Sequence, residues 1–343
     1  MNRNLDLVAE SRNQLALLRD VHLSERDLYN AGDDLKQAVA VYISSWLPTL
    51  NRCNEDKKAT ASPPLDVAWV WHLHKLDPTS YRSDCHRWYG RLLDAPVGTS
   101  PFDHNGSLSS PVESATCADG AIDKDLLQRI SDSARNQSSF LWHVRWPEYD
   151  NDGFLHDAVA RYEMMLQLMK NKPTQFIVPT YDIDLMWHTH LAFPSRYMDD
   201  CLSLAGRNVN HDDKVGHDRS PNSFLTVSSA KTEQLWQATF GDAWRKNGAM
   251  YRGEPPAWFW TNRRRAAAPP GEQTSNLPWP AQFANCAIEV LGRAFGASGD
   301  AEVHTDFGLP CYYRRLPPVA GAAAIGTGGL LNLRSPLHLN RSI

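Results

Sequence analysis

Apolar side chains recur at helical spacing along most of this chain. Between residues 33 and 50 they fall at positions i, i+3, i+4, i+7, i+8, i+11 and i+12, which predicts an amphipathic helix. The pattern in 154–169 predicts its counterpart in the second half, and 231–246 predicts a closing helix. Residues 1–23 show a looser helical spacing, and Ser24 to Asp27 resembles a capping box. The hydrophobic pattern therefore predicts a mainly α-helical protein.

One stretch of the chain occurs twice. The first copy begins Asp66-Val-Ala-Trp-Val-Trp-His72-Leu-His74 and the second begins Asp182-Ile-Asp-Leu-Met-Trp-His188-Thr-His190. Subtracting 116 from the second numbering aligns Asp, Trp, both His, Pro, Tyr, Asp and Cys without a gap. Eight identities of such uncommon residue types in one 20-residue window indicate an internal duplication.

This duplicated signature fits either a helix or a strand, and the choice decides where its histidines point. A strand would place both histidines of a copy on one face. A helix would turn them roughly 200° apart and leave Asp184 and His188 one turn apart on the same side. The helix is favoured, because prolines precede the acidic residue in both copies and an Asp suits a helix start. Pro78 and Pro194 then predict the first turn of a second helix, which ends at a glycine.

The same pattern divides the chain. Residues 94–121 are rich in Gly, Ser and Pro without periodicity, which predicts a linker between a first helical module (1–93) and a second one (122–260). From 261 to 343 Gly and Pro are frequent, which predicts a low-order tail. The expected fold is mainly α, with two homologous helical modules and a largely disordered C-terminal tail.

Composition excludes some classes of function. A net charge of −4 gives no broad nucleic-acid footprint. No apolar run reaches the ~18 residues that a membrane span needs, and the N-terminal residues lack the apolar region of a secretory signal. Six cysteines without a CxxC pair are typical of reduced thiols. We expect a cytoplasmic protein, with the nucleus as a second option because of the short basic run at 263–265.

The duplicated polar residues admit two interpretations. The favoured one is a buried hydrogen-bond network, in which His and Tyr side chains are satisfied by neighbouring Asp and backbone groups. Its candidate members are Asp66, His72, His74, Tyr81, Asp84, Asp182, His188, His190, Tyr197 and Asp200. The other interpretation is a zinc or iron site in the second copy, with His188, His190, Cys201 and His211 as ligands and Asp182 or Asp212 as a further candidate.

No residue is predicted to be catalytic. A cysteine nucleophile is disfavoured because Asp84 and Asp200, each next to a cysteine, would raise the thiol pKa. The aromatic run Trp258-Phe-Trp260 could bind a peptide or a nucleic acid, but aromatic residues at a domain edge more often cap the core, and no basic stripe accompanies them.

These motifs resemble those of a known family. The second signature with Pro194, Tyr197 and Cys201, and then Gly248-Ala-Met-Tyr-Arg-Gly-Glu-Pro-Pro256, resembles the glycine-rich domain-containing proteins of plants, fungi and bacteria over roughly residues 20–256. The resemblance implies no established catalytic activity, and the long glycine-rich C-terminal region of that family is only modestly represented here. We expect a non-enzymatic binding or scaffold protein with protein partners; the alternative is a zinc- or iron-binding protein or a metal-dependent enzyme that uses the second cluster.

Overall fold

A computed structural model describes five stretches of the chain: residues 5–57, 62–96, 98–106, 123–211 and 218–265. All of them belong to one compact unit. The described residues form helices and no β-strand, apart from one isolated bridge between Pro64 and Asn105. None of the described helices is long and apolar enough to cross a bilayer. The prediction of a mainly α protein is confirmed.

The described residues of the first half form five α-helices. They are α1 (Leu7–Leu23), α2 (Asp33–Val41), α3 (Leu47–Asp56), α4 (Leu65–Lys75) and α5 (Pro78–Tyr89). A π-helical turn, Tyr42–Trp46, joins α2 to α3, so the helix predicted for 33–50 continues to residue 56.

The second half repeats this order with additions. Its helices are α6 (Lys124–Gln137), α7 (Phe140–Val144), α8 (Asp152–Asn171), α9 (Tyr181–Leu191), α10 (Pro194–Leu204), α11 (Phe224–Phe240) and α12 (Ala257–Arg265). A 3-10 turn, Pro147–Asp150, precedes α8.

Both copies of the signature are helices, as favoured by the sequence: α4 and α9 carry the histidines. Pro78 and Pro194 occupy the first turns of α5 and α10. Gly90 ends α5 with a φ of 70°, a left-handed conformation that glycine adopts without steric cost. The predicted helix pair is confirmed in each half.

Two local expectations were wrong. Ser24 does not begin a helix: it follows the last residue of α1, its hydroxyl accepts from the amide of Arg26 at 3.1 Å, and α2 starts only at Asp33. The closing helix begins at Phe224, earlier than predicted, because Ser223 caps its first turn by accepting from the amide of Thr226 at 3.2 Å. Gly241, with a φ of 68°, ends it before Trp244.

The leading helix of each half packs against the other half. Helix α1 lies against α4 and also against α8 and α9, while α6 lies against α2 and α4. Thr189 on α9 donates a hydrogen bond to the side chain of Gln14 on α1 at 2.6 Å, and both residues are fully buried. The two signature helices therefore share one core, with α1 in contact with both.

The proposed module boundaries stay a prediction. Residues 107–121, which make up more than half of the predicted linker, lie outside the described residues, as do 266–343 of the predicted tail. The first five residues assigned to that tail belong to α12.

Candidate functional site

Each half buries a network of one tyrosine, one histidine and one aspartate. In the first half, the Tyr42 hydroxyl lies 2.9 Å from Nδ1 of His74, and the Asp84 carboxylate lies 3.1 Å from its Nε2. Because a carboxylate only accepts, Nε2 carries the hydrogen and the tyrosine donates to Nδ1. Both nitrogens of this buried ring are satisfied.

The second half repeats that arrangement. The Tyr162 hydroxyl lies 3.1 Å from Nδ1 of His190, and Asp200 lies 3.4 Å from its Nε2. Burial lowers the pKa of His190, while the hydrogen bond and the charge of Asp200 oppose that shift. His74 shows the same balance, with burial again the largest cause of its lowered pKa. Both buried histidines are therefore neutral side chains.

A second link supports each network from the next helix. The indole of the signature tryptophan donates to a tyrosine hydroxyl, and that hydroxyl donates to a backbone carbonyl beyond the helix. The two chains are Trp71–Tyr81–Leu93, with distances of 3.1 and 2.8 Å, and Trp187–Tyr197–Val209, with distances of 2.9 and 2.8 Å. Their members differ by 116 in number, so the duplication extends to individual hydrogen bonds.

The first acidic residue of each signature anchors its helix to a neighbouring arginine. Asp66 pairs with Arg26. Asp182, fully buried, accepts from Nε of Arg161 at 2.8 Å and from the Thr180 hydroxyl. Neither aspartate belongs to the cluster around His188.

His188 points away from the Tyr–His–Asp network. Its Nε2 lies 3.0 Å from Nε2 of His211 and 3.4 Å from Oδ1 of Asp184. Ligand atoms of these three residues all lie within 4.8 Å of one another, which is close enough to surround one metal ion. Asp184 and His188 meet because they are one helical turn apart on α9.

The four ligands proposed from the sequence are not brought together. His188 and His211 are neighbours, but His190 contacts Tyr162 and Asp200 on another side of α9. Cys201 is fully buried, and burial raises the pKa of its thiol. Helical geometry separates positions i and i+2 by roughly 200°, so His188 and His190 cannot face one ion. Asp212 lies outside the described residues.

Asp184 is the member that sequence reasoning passed over. Its helical spacing to His188 was visible, but nothing in the sequence showed that His211 would join them. His211 follows α10, and its Nδ1 lies 2.9 Å from the Leu76 carbonyl oxygen of the first half. The ring also meets Trp187 edge-on, with centroids 4.9 Å apart.

Burial controls the charge state of His188. It is 1% exposed, and desolvation lowers its pKa well below the ordinary value. The neighbouring imidazoles of His211 and His72 lower that pKa further. The side chain is therefore neutral at physiological pH, and neutral imidazole is the form that binds metal ions.

The Asp184–His188–His211 cluster lines a cleft of about 600 Å³. Its walls come from α7, α9 and α11 and from the segment between Trp244 and Tyr251. The amide of Tyr181 donates to the Ala249 carbonyl at 2.9 Å, which ties that segment to the start of α9. The volume lies in the range of small-molecule sites, roughly 300–1,000 Å³.

The equivalent of His188 in the first half has different surroundings. His72 is buried, packs against Trp69 and Phe102, and its Nε2 has no hydrogen-bond partner. Burial lowers its pKa to about 3, with smaller contributions from the charges of Lys75 and His211. The positions equivalent to Asp184 and His211 hold Ala68 and Ala95.

Contacts between the halves are reciprocal at this point. His211 donates to the Leu76 carbonyl, and Lys75 donates to the Ala192 carbonyl at 3.3 Å, where 192 is the position equivalent to 76. Asp94 accepts from the Ser195 amide at 3.1 Å, and Asn210 accepts from the Thr79 hydroxyl at 2.9 Å. The loops after α5 and α10 thus exchange contacts across the shared core.

Comparison with known proteins supports the family suggested by the motifs. The family described as glycine-rich domain-containing protein-like matches residues 1–84 and 85–200. Glycine-rich domain-containing protein 1 of Arabidopsis thaliana is 34% identical over 280 residues, a match that covers 74% of this chain and 34% of the relative. Glycine-rich domain-containing protein 2 of the same plant is 35% identical over 280 residues, covering 74% of this chain and 35% of the relative.

The chain spans about a third of the length of these two relatives. No solved structure matches it. The two family matches are consecutive and together cover more than half of the sequence. The first contains α4 and the second contains α9. This chain belongs to the glycine-rich domain-containing protein family.

Proposed function

We propose that this protein is a non-enzymatic binding or scaffold protein whose ligand occupies the cleft beside α9. The cleft itself carries this proposal, since a concave site of about 600 Å³ with converging polar groups is the usual form of a ligand site. The two Tyr–His–Asp networks serve as architecture beneath it. Among the described residues that line the cleft there is no member of either Tyr–His–Asp network, so these networks support the wall without reaching the ligand.

The lining favours an anionic ligand with an apolar body. Phe140, Tyr181 and Tyr251 supply aromatic surface to the cleft. The Arg219 guanidinium lies 4.0 Å from the ring centre of Tyr251 and donates to the Tyr181 hydroxyl at 3.2 Å. An arginine held against aromatic faces is suited to a planar acid group, because its fork of donors matches two oxygens.

A fluorescent anion tests this directly. 8-Anilinonaphthalene-1-sulfonate combines an aromatic body with an acid group, and we expect it to bind the wild-type protein at one saturable site. Ser229→Trp, on the α11 wall, should fill the cleft and weaken binding by at least tenfold, a loss of about 1.4 kcal/mol. Gln234→Trp, on the exposed side of the same helix, is the matched control and should bind like the wild type.

The opposite pattern would refute the cleft as the site. If Ser229→Trp and Gln234→Trp bind the dye equally well while both retain wild-type melting temperatures, the dye binds elsewhere. Absence of saturable binding to the wild type would have the same meaning.

The proposal also includes a cytoplasmic location and a protein partner that binds beside α11. Phe224 and Val227 on α11 are 61% and 56% exposed, and Phe224 packs against Phe176 with ring centroids 5.1 Å apart. Exposed apolar side chains grouped at one place favour an interaction surface.

Fractionation of cells that express the chain measures its compartment. A predominantly membrane-bound or secreted pool would contradict the proposed cytoplasmic location.

A further inference from the structure

We propose that Asp184, His188 and His211 bind a divalent transition metal ion, Zn²⁺ or Fe²⁺, with a coordination position open to the cleft. This goes beyond ligand binding in the cleft, which does not require a metal. The two ideas can fail separately, because one concerns the ion and the other the cavity in front of it.

The distances suit an ion of this size. A tetrahedral ion with nitrogen and oxygen ligands at about 2.0–2.2 Å holds neighbouring ligand atoms about 3.3–3.6 Å apart. In the structure, Nε2 of His188 lies 3.4 Å from Oδ1 of Asp184 and 3.0 Å from Nε2 of His211. The ligand atoms of the third pair, Asp184 and His211, lie within 4.8 Å of each other, so binding one ion requires side-chain rotation that brings them closer.

The His211 ring is oriented as a ligand should be. A carbonyl oxygen only accepts, so the contact of 2.9 Å to Leu76 requires the hydrogen on Nδ1 of His211. The lone pair of Nε2 is then directed at the cluster. Metal-bound histidines characteristically donate their other N–H to a carbonyl or carboxylate, and that donor contact sets both tautomer and ring angle.

A purely structural explanation fits less well. In His74, which belongs to a buried network, both ring nitrogens have partners at 2.9 and 3.1 Å. In His188, Nε2 faces another imidazole nitrogen, Nε2 of His211, at 3.0 Å. Only one hydrogen fits between two such nitrogens, so the His188–His211 pair is a weaker network than the one around His74.

The donor set narrows the ion. Two imidazoles and one carboxylate with open positions are the ligands of catalytic zinc sites and of non-haem Fe²⁺ sites. The carboxylate comes from a side chain that is 20% exposed, whereas both histidines are buried, so the remaining positions of the ion face the cleft rather than the core.

The first half provides an internal contrast. It has the same helix and the same histidine, His72, but alanine at both other positions, Ala68 and Ala95. In the second half, Asp184 and His211 accompany His188 at the cleft. In the first half, alanine occupies both equivalent positions, and His72 packs among aromatic rings. The metal site is thus assigned to the second half only.

The test uses the full-length chain purified without a metal-affinity tag. Elemental analysis of the purified protein distinguishes zinc from iron. Protein stripped with a chelator is then titrated with Co²⁺, whose visible absorption reports its coordination, and the bound Co²⁺ is displaced by Zn²⁺. The variants are Asp184→Asn and His211→Gln, and His72→Gln and His86→Gln are the histidine controls.

We expect one Co²⁺ per chain in the wild type and in both controls. Asp184→Asn and His211→Gln should weaken binding by at least about tenfold, since even partners of ligands cost 10–100-fold when removed. Melting temperatures identify any variant that fails to fold. Asp184→Asn decides the matter if His211→Gln does not fold, because Asp184 is partly exposed.

Two results would overturn the proposal. One is the absence of stoichiometric Co²⁺ or Zn²⁺ binding by folded wild-type protein. The other is equal affinity in the wild type and in folded Asp184→Asn. Ser229→Trp separates this idea from the proposed ligand: it should lose dye binding and keep the metal, whereas Asp184→Asn should lose the metal.

Discussion

The signature helices α4 and α9 have the same polar skeleton in different surroundings. Each carries one histidine between a tyrosine and an aspartate: the tyrosine lies 2.9 Å from Nδ1 of His74 and 3.1 Å from Nδ1 of His190, and the aspartate lies 3.1 and 3.4 Å from Nε2. The other histidine differs: His72 is enclosed by Trp69 and Phe102, while His188 meets two polar groups at the wall of a cleft. After duplication, the residues that hold the helix pair together stayed alike, and the residues around one shared histidine diverged.

A neighbouring position shows the same divergence. Lys75 is 1% exposed, lies 3.6 Å from the ring centre of Trp71 and donates to the Ala192 carbonyl, whereas position 191 holds a leucine. Burial lowers the pKa of Lys75 well below its usual value. The two halves are therefore not interchangeable at their contact, although their helices are.

The largest effect is expected when the first half receives the carboxylate that Asp184 supplies in the second half. Ala68 is fully buried, so Ala68→Asp places a charged side chain in the core. We expect a loss of at least about 3 kcal/mol in the free energy of unfolding, the scale of an uncompensated buried charge. Urea unfolding measures it, with Ala68→Ser as the small polar control. A wild-type stability for Ala68→Asp would mean that the environments of the two helices are alike.

The Tyr–His–Asp networks, which the two halves share, can be tested by the same substitution in each half. His74→Ala and His190→Ala each leave a buried tyrosine and aspartate without their partner, and we expect losses of ~1–3 kcal/mol in each variant. Thermal unfolding checks this, with exposed His86→Ala as the control. If His190→Ala melts like the wild type, the second network is not structural.

Lowering the pH should destabilise the folded protein through His72, because the pKa of this side chain is lower in the folded protein than in the unfolded chain. The pKa of His72 is about 3 in the folded protein and ~6.5 when unfolded, so its contribution is fully present above pH 6.5 and decreases as the pH falls toward 3. Between pH 7 and pH 5 this amounts to about 2 kcal/mol of stability. Urea unfolding across this range should show a shallower pH dependence in His72→Gln than in the wild type. Identical slopes in the two proteins would contradict a buried neutral His72.

The smallest effect on stability is expected at the residue that distinguishes the second half. The side chain of Asp184 is 20% exposed at the cleft wall, so Asp184→Ala should change the free energy of unfolding of the metal-free protein by less than about 1 kcal/mol. Differential scanning calorimetry on chelator-treated protein measures this. A loss as large as that of His190→Ala would place Asp184 among the structural residues instead.

The sequence alone determined the repeated part of this protein. Offset identities, helical spacing, the prolines at 78 and 194 and the glycine at 90 predict the helix pairs, because these features act within one or two turns of the chain. The same local rule placed Asp184 and His188 on one side of α9 and separated His190 from them. It missed α7 and α12, since a short aromatic helix has too few turns to show a period.

Only the tertiary structure decided which groups meet the shared histidines. His211 reaches His188 from the loop after α10, with its ring set by the carbonyl of Leu76 in the other half. The cleft likewise forms from α7, α9 and α11, which are far apart in sequence. Periodicity shows which side chains share a helix face, but the neighbours of that face depend on how the two halves pack, and packing is a property of the whole core.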